Sequence, residues 1–177
     1  MAEFHLLDHV FVYQPRTRRH RGVLIAAGAV FPCALGRSGL VRQKREGDGG
    51  TPVGAWPMRY VLYRPDRMAR PASGLPRFAI APGDGWCDCP SERRYNRPIR
   101  VPSASSAEGL WRSDGLYDVI VVLGYNDDPP VPGRGSAIFF HLAREDFGPT
   151  AGCVAVRRAD MLKLVSRCGP GTAMCIG

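Results

Sequence analysis

The chain has 177 residues, 45% hydrophobic and 23% charged, a balance that excludes disorder and supplies enough apolar mass for one core in a single domain, 1–177. The formal net charge is +8, part of it gathered in Arg16, Arg18, Arg19, His20 and Arg21. No run of about 18 apolar residues exists, so no membrane-spanning helix is expected.

The 21 glycines and 16 prolines predict many turns and short strands rather than a helical bundle. In chain order, residues 9–13, 22–27 and 29–35 read as strands, with Gly28 as the turn between the last two. Residues 36–54 form a polar, Gly-rich loop. Residues 56–63 read as a strand that Pro57 confines to an edge or a strand start, because proline brings no N–H to a ladder. Residues 64–98 read as loops with a short strand at 78–80. Residues 105–111 suggest a short helix. The clearest strands, 117–123 and 137–142, are continuous, apolar and rich in β-branched or aromatic residues, which marks them as central. A loop, 124–135, separates them. Met161, Leu164, Val165 and Cys168 recur at one helical face, and Gly169-Pro170 ends that helix. A last strand, 172–176, closes the sheet. The fold class is mainly β: a β-sandwich or strongly bent mixed sheet with one main C-terminal helix.

The chemistry centres on two residues. Cys153 follows a glycine at the start of an apolar run, and His141 ends another apolar run twelve positions upstream. Neighbouring strands would bring them together, and a thiol nucleophile needs such a base because the thiolate is the attacking species. The same local pattern fits a small buried hydrophobe. A papain-like protease would carry Cys before His, the reverse of this order. The six cysteines, at 33, 87, 89, 153, 168 and 175, do not form a disulfide framework by spacing, although a bridge between Cys168 and Cys175 is compatible with an oxidising compartment. Cys87-x-Cys89 is too tight for a zinc pair, so neither a metal nor another cofactor is expected. The basic cluster has no nucleic-acid motif beside it. It fits a solvated hairpin tip or attraction to an anionic cell-wall or membrane surface, and a non-enzymatic basic binding module with an inert Cys153 is the competing function class.

Three motifs, in order along most of the chain, resemble the L,D-transpeptidase catalytic domain (YkuD-type) family. They are His141 with Thr150-Ala151-Gly152-Cys153-Val154; Glu46-Gly47-Asp48-Gly49-Gly50-Thr51-Pro52-Val53-Gly54, with its Thr-Pro-x-Gly turn; and Gly85-Trp86-Cys87-Asp88-Cys89-Pro90 with Tyr95-Asn96. The chain departs from the family pattern at Ala151, where many members have His, at Ala155, where many have Arg, and in the shorter His-to-Cys interval.

The resemblance implies a peptidoglycan stem peptide as substrate. Cys153 would form a thioester, His141 would act as acid and base, and Gly152 would let the backbone approach the substrate. An amine acceptor then gives a 3–3 cross-link; water gives an L,D-carboxypeptidase or amidase. The resemblance also implies that a backbone carbonyl, not an acidic side chain, orients His141. The oxyanion would be met by the Cys153 N–H with Gly152 or Ala151 beside it. Thr150, Ala151, Tyr125, Asn126, Arg134, Tyr95, Asn96 and Arg157 are the candidate substrate contacts, with Arg158 beside the last. Location in the periplasm or cell envelope follows from the family; residues 1–7 lack the pattern of an export leader, which leaves the cytoplasm open.

Overall fold

The computed structural model describes residues 6–177. Residues 1–5, on which the reading of the N-terminus largely rests, lie outside the described residues. The strands in chain order are β1 (His9–Tyr13), β2 (Arg21–Ala26), β3 (Ala29–Ala34), β4 (Leu40–Val41), β5 (Thr51–Pro52), β6 (Gly54–Tyr63), β7 (Arg77–Ala79), β8 (Asp84–Cys87), β9 (Pro98–Arg100), β10 (Ala107–Gly109), β11 (Val119–Leu123), β12 (Phe139–Leu142) and β13 (Val154–Val156). The helix α1 (Arg158–Val165) and the strand β14 (Ala173–Ile176) complete the chain.

The large mixed sheet runs β11-β12-β13-β3-β2-β1-β14-β6-β7, and β11 also pairs with β6. The bent sheet therefore closes into a ring of eight strands, which leaves no free edge in the ring. Period-two alternation selects what faces inward. Val10 and Val12, Leu24 and Ala26, Val119 and Val121, Phe140 and Leu142, Val154 and Val156, and Met174 and Ile176 all belong to one buried cluster. Met161, Leu164 and Val165 of α1 join that cluster, which is why the helix shows one apolar face.

Several local expectations are revised. Residues 105–111 hold the strand β10, not a helix: Ala107, Glu108 and Gly109 pair with Cys87, Trp86 and Gly85 of β8. So short a segment cannot support an isolated helix, and the open edge of β8 supplies hydrogen bonds instead. Pro57 lies inside the ten-residue β6, which pairs with β14 over its first half and with β11 over its second. The Pro57 carbonyl accepts from the Gly124 N–H just past the end of β11, next to an irregularity at Val122/Leu123, so the missing donor falls where the ladder is already ending. The 36–54 loop contains the short parallel pair β4–β5. The turn between β2 and β3 is Ala27-Gly28, with Ala27 at φ 51°. The helix ends at Val165 with Ser166 as its cap, before Cys168.

The outer face of β11 and β12 carries a second apolar cluster: Ile120, Val122 and Phe139, covered by Trp86, Leu110 and Ile80 from the small sheet β10-β8-β9 and its neighbourhood. Phe140→Ala, at a fully buried inward position, should cost roughly 3–5 kcal/mol in denaturant unfolding. Phe11→Ala, outward and 40% exposed, should cost less than about 1 kcal/mol. Equal losses would contradict the inward–outward assignment.

Candidate active site

The site is built on the parallel pairing of β12 with β13, in which Phe140 faces Val154 and His141 faces Ala155. Alternation turns Phe140 and Val154 inward, so His141 and Cys153 both point to the outer face. They sit one residue pair apart on adjacent chains. The connecting loop, 143–153, is anchored by the buried Phe147, which packs with Ala34 and Ala155. Arg21 and Arg157 place guanidinium groups over the Phe147 ring at 5.4 and 5.2 Å.

Cys153 and His141 are each 6% exposed. The Cys153 Sγ donates to the Ala137 carbonyl and accepts from the Phe139 N–H, both at 3.3 Å. His141 Nδ1 lies 2.9 Å from the Leu142 carbonyl. That contact favours the tautomer protonated on Nδ1, which leaves Nε2 with its lone pair. Burial, and next the charge of Glu108, push the Cys153 thiol up to about 12, against the Phe139 N–H and Lys44. Burial lowers His141 to about 4, against the carbonyls of Leu142 and Leu116. At neutral pH the two groups rest as thiol and imidazole, not as an ion pair.

The turn before Cys153 explains two of the sequence motifs. Gly152 has φ +141°, and a Cβ there would meet the Gly50 carbonyl at 2.8 Å, so no other residue fits. Thr150 Oγ1 donates to the Cys153 carbonyl at 2.7 Å and accepts from the Gly152 N–H at 3.1 Å. The buried Thr51 hydroxyl donates to the same Cys153 carbonyl at 3.5 Å and accepts from the Gly36 N–H at 2.8 Å. The Thr-Pro-x-Gly segment thus lies under the cysteine. Because the Gly152 N–H is held by Thr150, the Cys153 N–H is the more available of those two oxyanion donors.

Trp86 Nε1 and the Ala137 N–H donate to Asn96 Oδ1, at 2.8 and 3.1 Å. Asn96 Nδ2 donates to the carbonyls of Tyr125 and Asn126, at 3.0 and 2.7 Å. This amide fixes the loop whose Ala137 carbonyl accepts the hydrogen bond of the thiol. Tyr95 donates its hydroxyl to Glu46 at 2.5 Å and accepts from the Gly135 N–H at 2.9 Å. Both residues are buried and serve as loop clamps.

A cleft of about 340 Å³ opens over the pair. Cys153, His141, Thr150 and Ala151 line it. Tyr95, Asn96, Tyr125, Asn126, Arg134 and Arg157 do not. Tyr125 packs edge-on to Trp56 at 4.9 Å and donates to the Arg134 carbonyl, while the Asn126 amide ties residues 131 and 135 together. Arg158 pairs with Asp118 at 2.8 Å, which offsets the cost of a cation at the start of α1.

The sequence did not reveal the cleft's charged lining: Glu46, Asp88 and Glu108 together with Arg37, Lys44, Arg112 and Arg144, with Glu108 and Arg112 3.9 Å apart. One Asp88 carboxylate oxygen is buried without a hydrogen-bond partner. Tyr117 was missed as well. Its ring packs edge-on against His141 at 5.1 Å, and its hydroxyl donates to Glu108 at 2.5 Å. Glu46 and Asp88 stand within the sequence motifs; the others come from separate strands and loops with no shared spacing. All six cysteines are free, Cys168 and Cys175 included. Among the described residues, no group of three or more His, Cys, Asp or Glu side chains is arranged to hold a metal ion.

Fold and site together describe a closed β-sheet protein with a buried thiol, Cys153, and a buried imidazole, His141, lining one charged cleft. The model of the L,D-transpeptidase catalytic domain, YkuD, matches residues 10–176, and the chain belongs to that family of peptidoglycan-modifying enzymes of the cell envelope. No curated protein and no solved structure matches the chain significantly.

The depressed His141 value sets a stability signature. Between pH 6.5 and about 4 the unfolded chain takes up a proton that the folded chain refuses. The contribution is therefore complete above pH 6.5 and is lost as pH falls, on the order of 3 kcal/mol across the window. His141→Gln should flatten that part of the stability–pH curve; an unchanged slope in urea unfolding would contradict a neutral buried imidazole.

Proposed function

We propose that the whole chain acts as one catalytic domain, a peptidoglycan L,D-transpeptidase in which Cys153 is the nucleophile and His141 the acid–base. The observation that carries this reading is the placement of both side chains, buried and on one face of paired strands, at the floor of the cleft.

The steps follow from the neutral pair. Sγ attacks the peptide carbonyl of a stem peptide, at the bond that follows a diamino acid in position three, as His141 Nε2 takes the thiol proton. The negative oxygen of the tetrahedral intermediate accepts from the Cys153 N–H. The C–N bond then breaks, His141 returns the proton to the leaving amine, and a thioester remains. An acceptor amine attacks the thioester carbonyl as His141 Nε2 takes its proton; the C–S bond breaks, the proton returns to Sγ, and the new amide is the 3–3 cross-link. Glu46, Asp88 and Glu108 support a cationic acceptor, since carboxylates in the cleft hold an ammonium group near the site before it deprotonates. Arg37, Arg112 and Arg144 suit the substrate's carboxylates. Attack by water on the same thioester makes the L,D-carboxypeptidase or amidase alternative, and the product ratio separates the two.

Stem tetrapeptide muropeptides incubated with the protein should yield 3–3 dimers in excess over free tripeptides by mass spectrometry. Cys153→Ala should abolish both products, and His141→Ala should slow acylation by about 10²- to 10⁴-fold. Products that survive in Cys153→Ala would overturn the assignment; tripeptides alone would select the hydrolase.

Glu108 should hold the thiol protonated until substrate arrives, because a nearby carboxylate opposes thiolate formation. Glu108→Gln should therefore speed iodoacetamide alkylation of Cys153 by about 2- to 10-fold near neutral pH. Slower or unchanged alkylation would rule out that electrostatic role.

A further inference from the structure

The chain's charge is not spread evenly. Residues 9–45 contain eight Lys and Arg and no Asp or Glu, and the remaining cations and acids of the chain are equal in number. The whole formal excess of +8 thus resides in residues 9–45: Arg16, Arg18, Arg19 and Arg21 lie on and beside β1 and β2, while Arg37 and Lys44, in the loop after β3, line the Cys153 cleft. Three of these cations, Arg16, Arg18 and Arg19, lie exposed on the β1–β2 loop, immediately beyond Tyr13.

The outer face of the same strands is apolar. Phe11, Tyr13 and Val30 are 40%, 44% and 63% exposed. Register lines them up in cross-strand rows: Cys175, Phe11, Ile25 and Val30 in one, and Tyr13, Val23 and Pro32 in the next. The rings of His9, Phe11 and Tyr13 follow one another along β1 at 5.7 and 6.4 Å. None of β14, β1, β2 and β3 contributes a carboxylate to this wall.

We propose that this wall and the arginine loop form a docking face for an anionic lipid bilayer. Apolar and aromatic side chains enter the acyl–headgroup boundary while neighbouring arginines meet lipid phosphates, the combination that interfacial binding requires. A soluble polyanion would be held by the arginines alone and gives no partner to Phe11 or Val30. A second copy would bring another molecule of net charge +8 against the same cation-rich wall, so charge complementarity favours the lipid. The position in the ring adds a functional consequence. β1 lies four strands from β12 in either direction round the closed sheet. A molecule seated on β1–β3 therefore turns the Cys153 cleft away from the bilayer. The inference stands apart from the chemistry assigned to Cys153 and survives if that assignment fails.

The test is co-sedimentation of the full chain with vesicles of phosphatidylcholine containing about one third phosphatidylglycerol, beside vesicles of phosphatidylcholine alone. The protein should bind the anionic vesicles, and added salt should weaken binding. Replacing Arg16, Arg18 and Arg19 together by Gln should weaken it by about 10²-fold, one step for each cation removed from the surface. Phe11→Ser with Val30→Ser should weaken it by about 10-fold or more, while Val131→Ser, exposed on a different loop, should bind as the parent does. All variants should retain the parent's circular dichroism and Cys153 alkylation rate. The proposal is overturned by absence of binding to anionic vesicles, or by binding that the Phe11/Val30 variant leaves unchanged, which would assign the face to a soluble polyanion. It is equally overturned by a dimer in analytical ultracentrifugation that the same variant dissolves.

Discussion

Parallel pairing of β12 with β13 fixes nearly everything that matters at the candidate site. Its register places His141 against Ala155 and therefore sets Cys153 beside Phe139 on the same outer face. A slip of one residue on either strand would send one of the two side chains into the barrel interior, among Phe140 and Val154. The register is held from both sides. Inside the ring, fully buried side chains fill the core and resist displacement. Outside it, Thr150 and Thr51 grip the Cys153 carbonyl, and Asn96 fixes the loop that meets the thiol.

Electrostatics at the site follow from this burial. A thiol and an imidazole enclosed by apolar neighbours are both driven toward their neutral forms. Glu108 reinforces this for the thiol, and Tyr117 joins Glu108 to the edge of the His141 ring. Reactive thiolates in other settings are stabilised by cations or helix N-termini. Here the cations of the cleft stand with carboxylates nearby: Lys44 pairs with Asp48 at 2.6 Å, and Arg112 with Asp114 at 2.5 Å. In the proposed reaction, charge separation between the two groups therefore waits on a substrate that excludes water.

Burial also separates the two faces of the molecule by role. The outer face of β11 and β12 is roofed by β8, β9 and β10, which makes a walled cleft. Beyond the Ala34 end of β3, which Phe147 covers, the outer face of β1, β2 and β3 has no such roof among the described residues and keeps Phe11, Tyr13 and Val30 in solvent. One ring of strands therefore offers an enclosed polar site on one side and an open apolar, cationic wall on the other.

Sequence alone determined the strands at β1, β2, β3, β11 and β12, the central place of the last two, the helical face of Met161, Leu164 and Val165, and the chemical types at His141 and Cys153. Those signals are local: short runs of β-branched and aromatic residues, period 3.6, and a short motif. It also located the loops at 36–54, 64–98 and 124–135 and marked Tyr95, Asn96, Tyr125 and Asn126 there as substrate contacts; it did not foresee the bonds they make to backbone groups of neighbouring loops. Polar residues in a loop look the same whether their partners are a ligand or a distant backbone group, and Asn96 meets Ala137 across 41 positions. Closure of the ring through β6 and β11, the strand at 107–109, and the convergence of Glu46, Asp88, Glu108 and Tyr117 on one cleft were decided only by the tertiary structure. Each depends on pairing between segments far apart in the chain, whose partners no local pattern names.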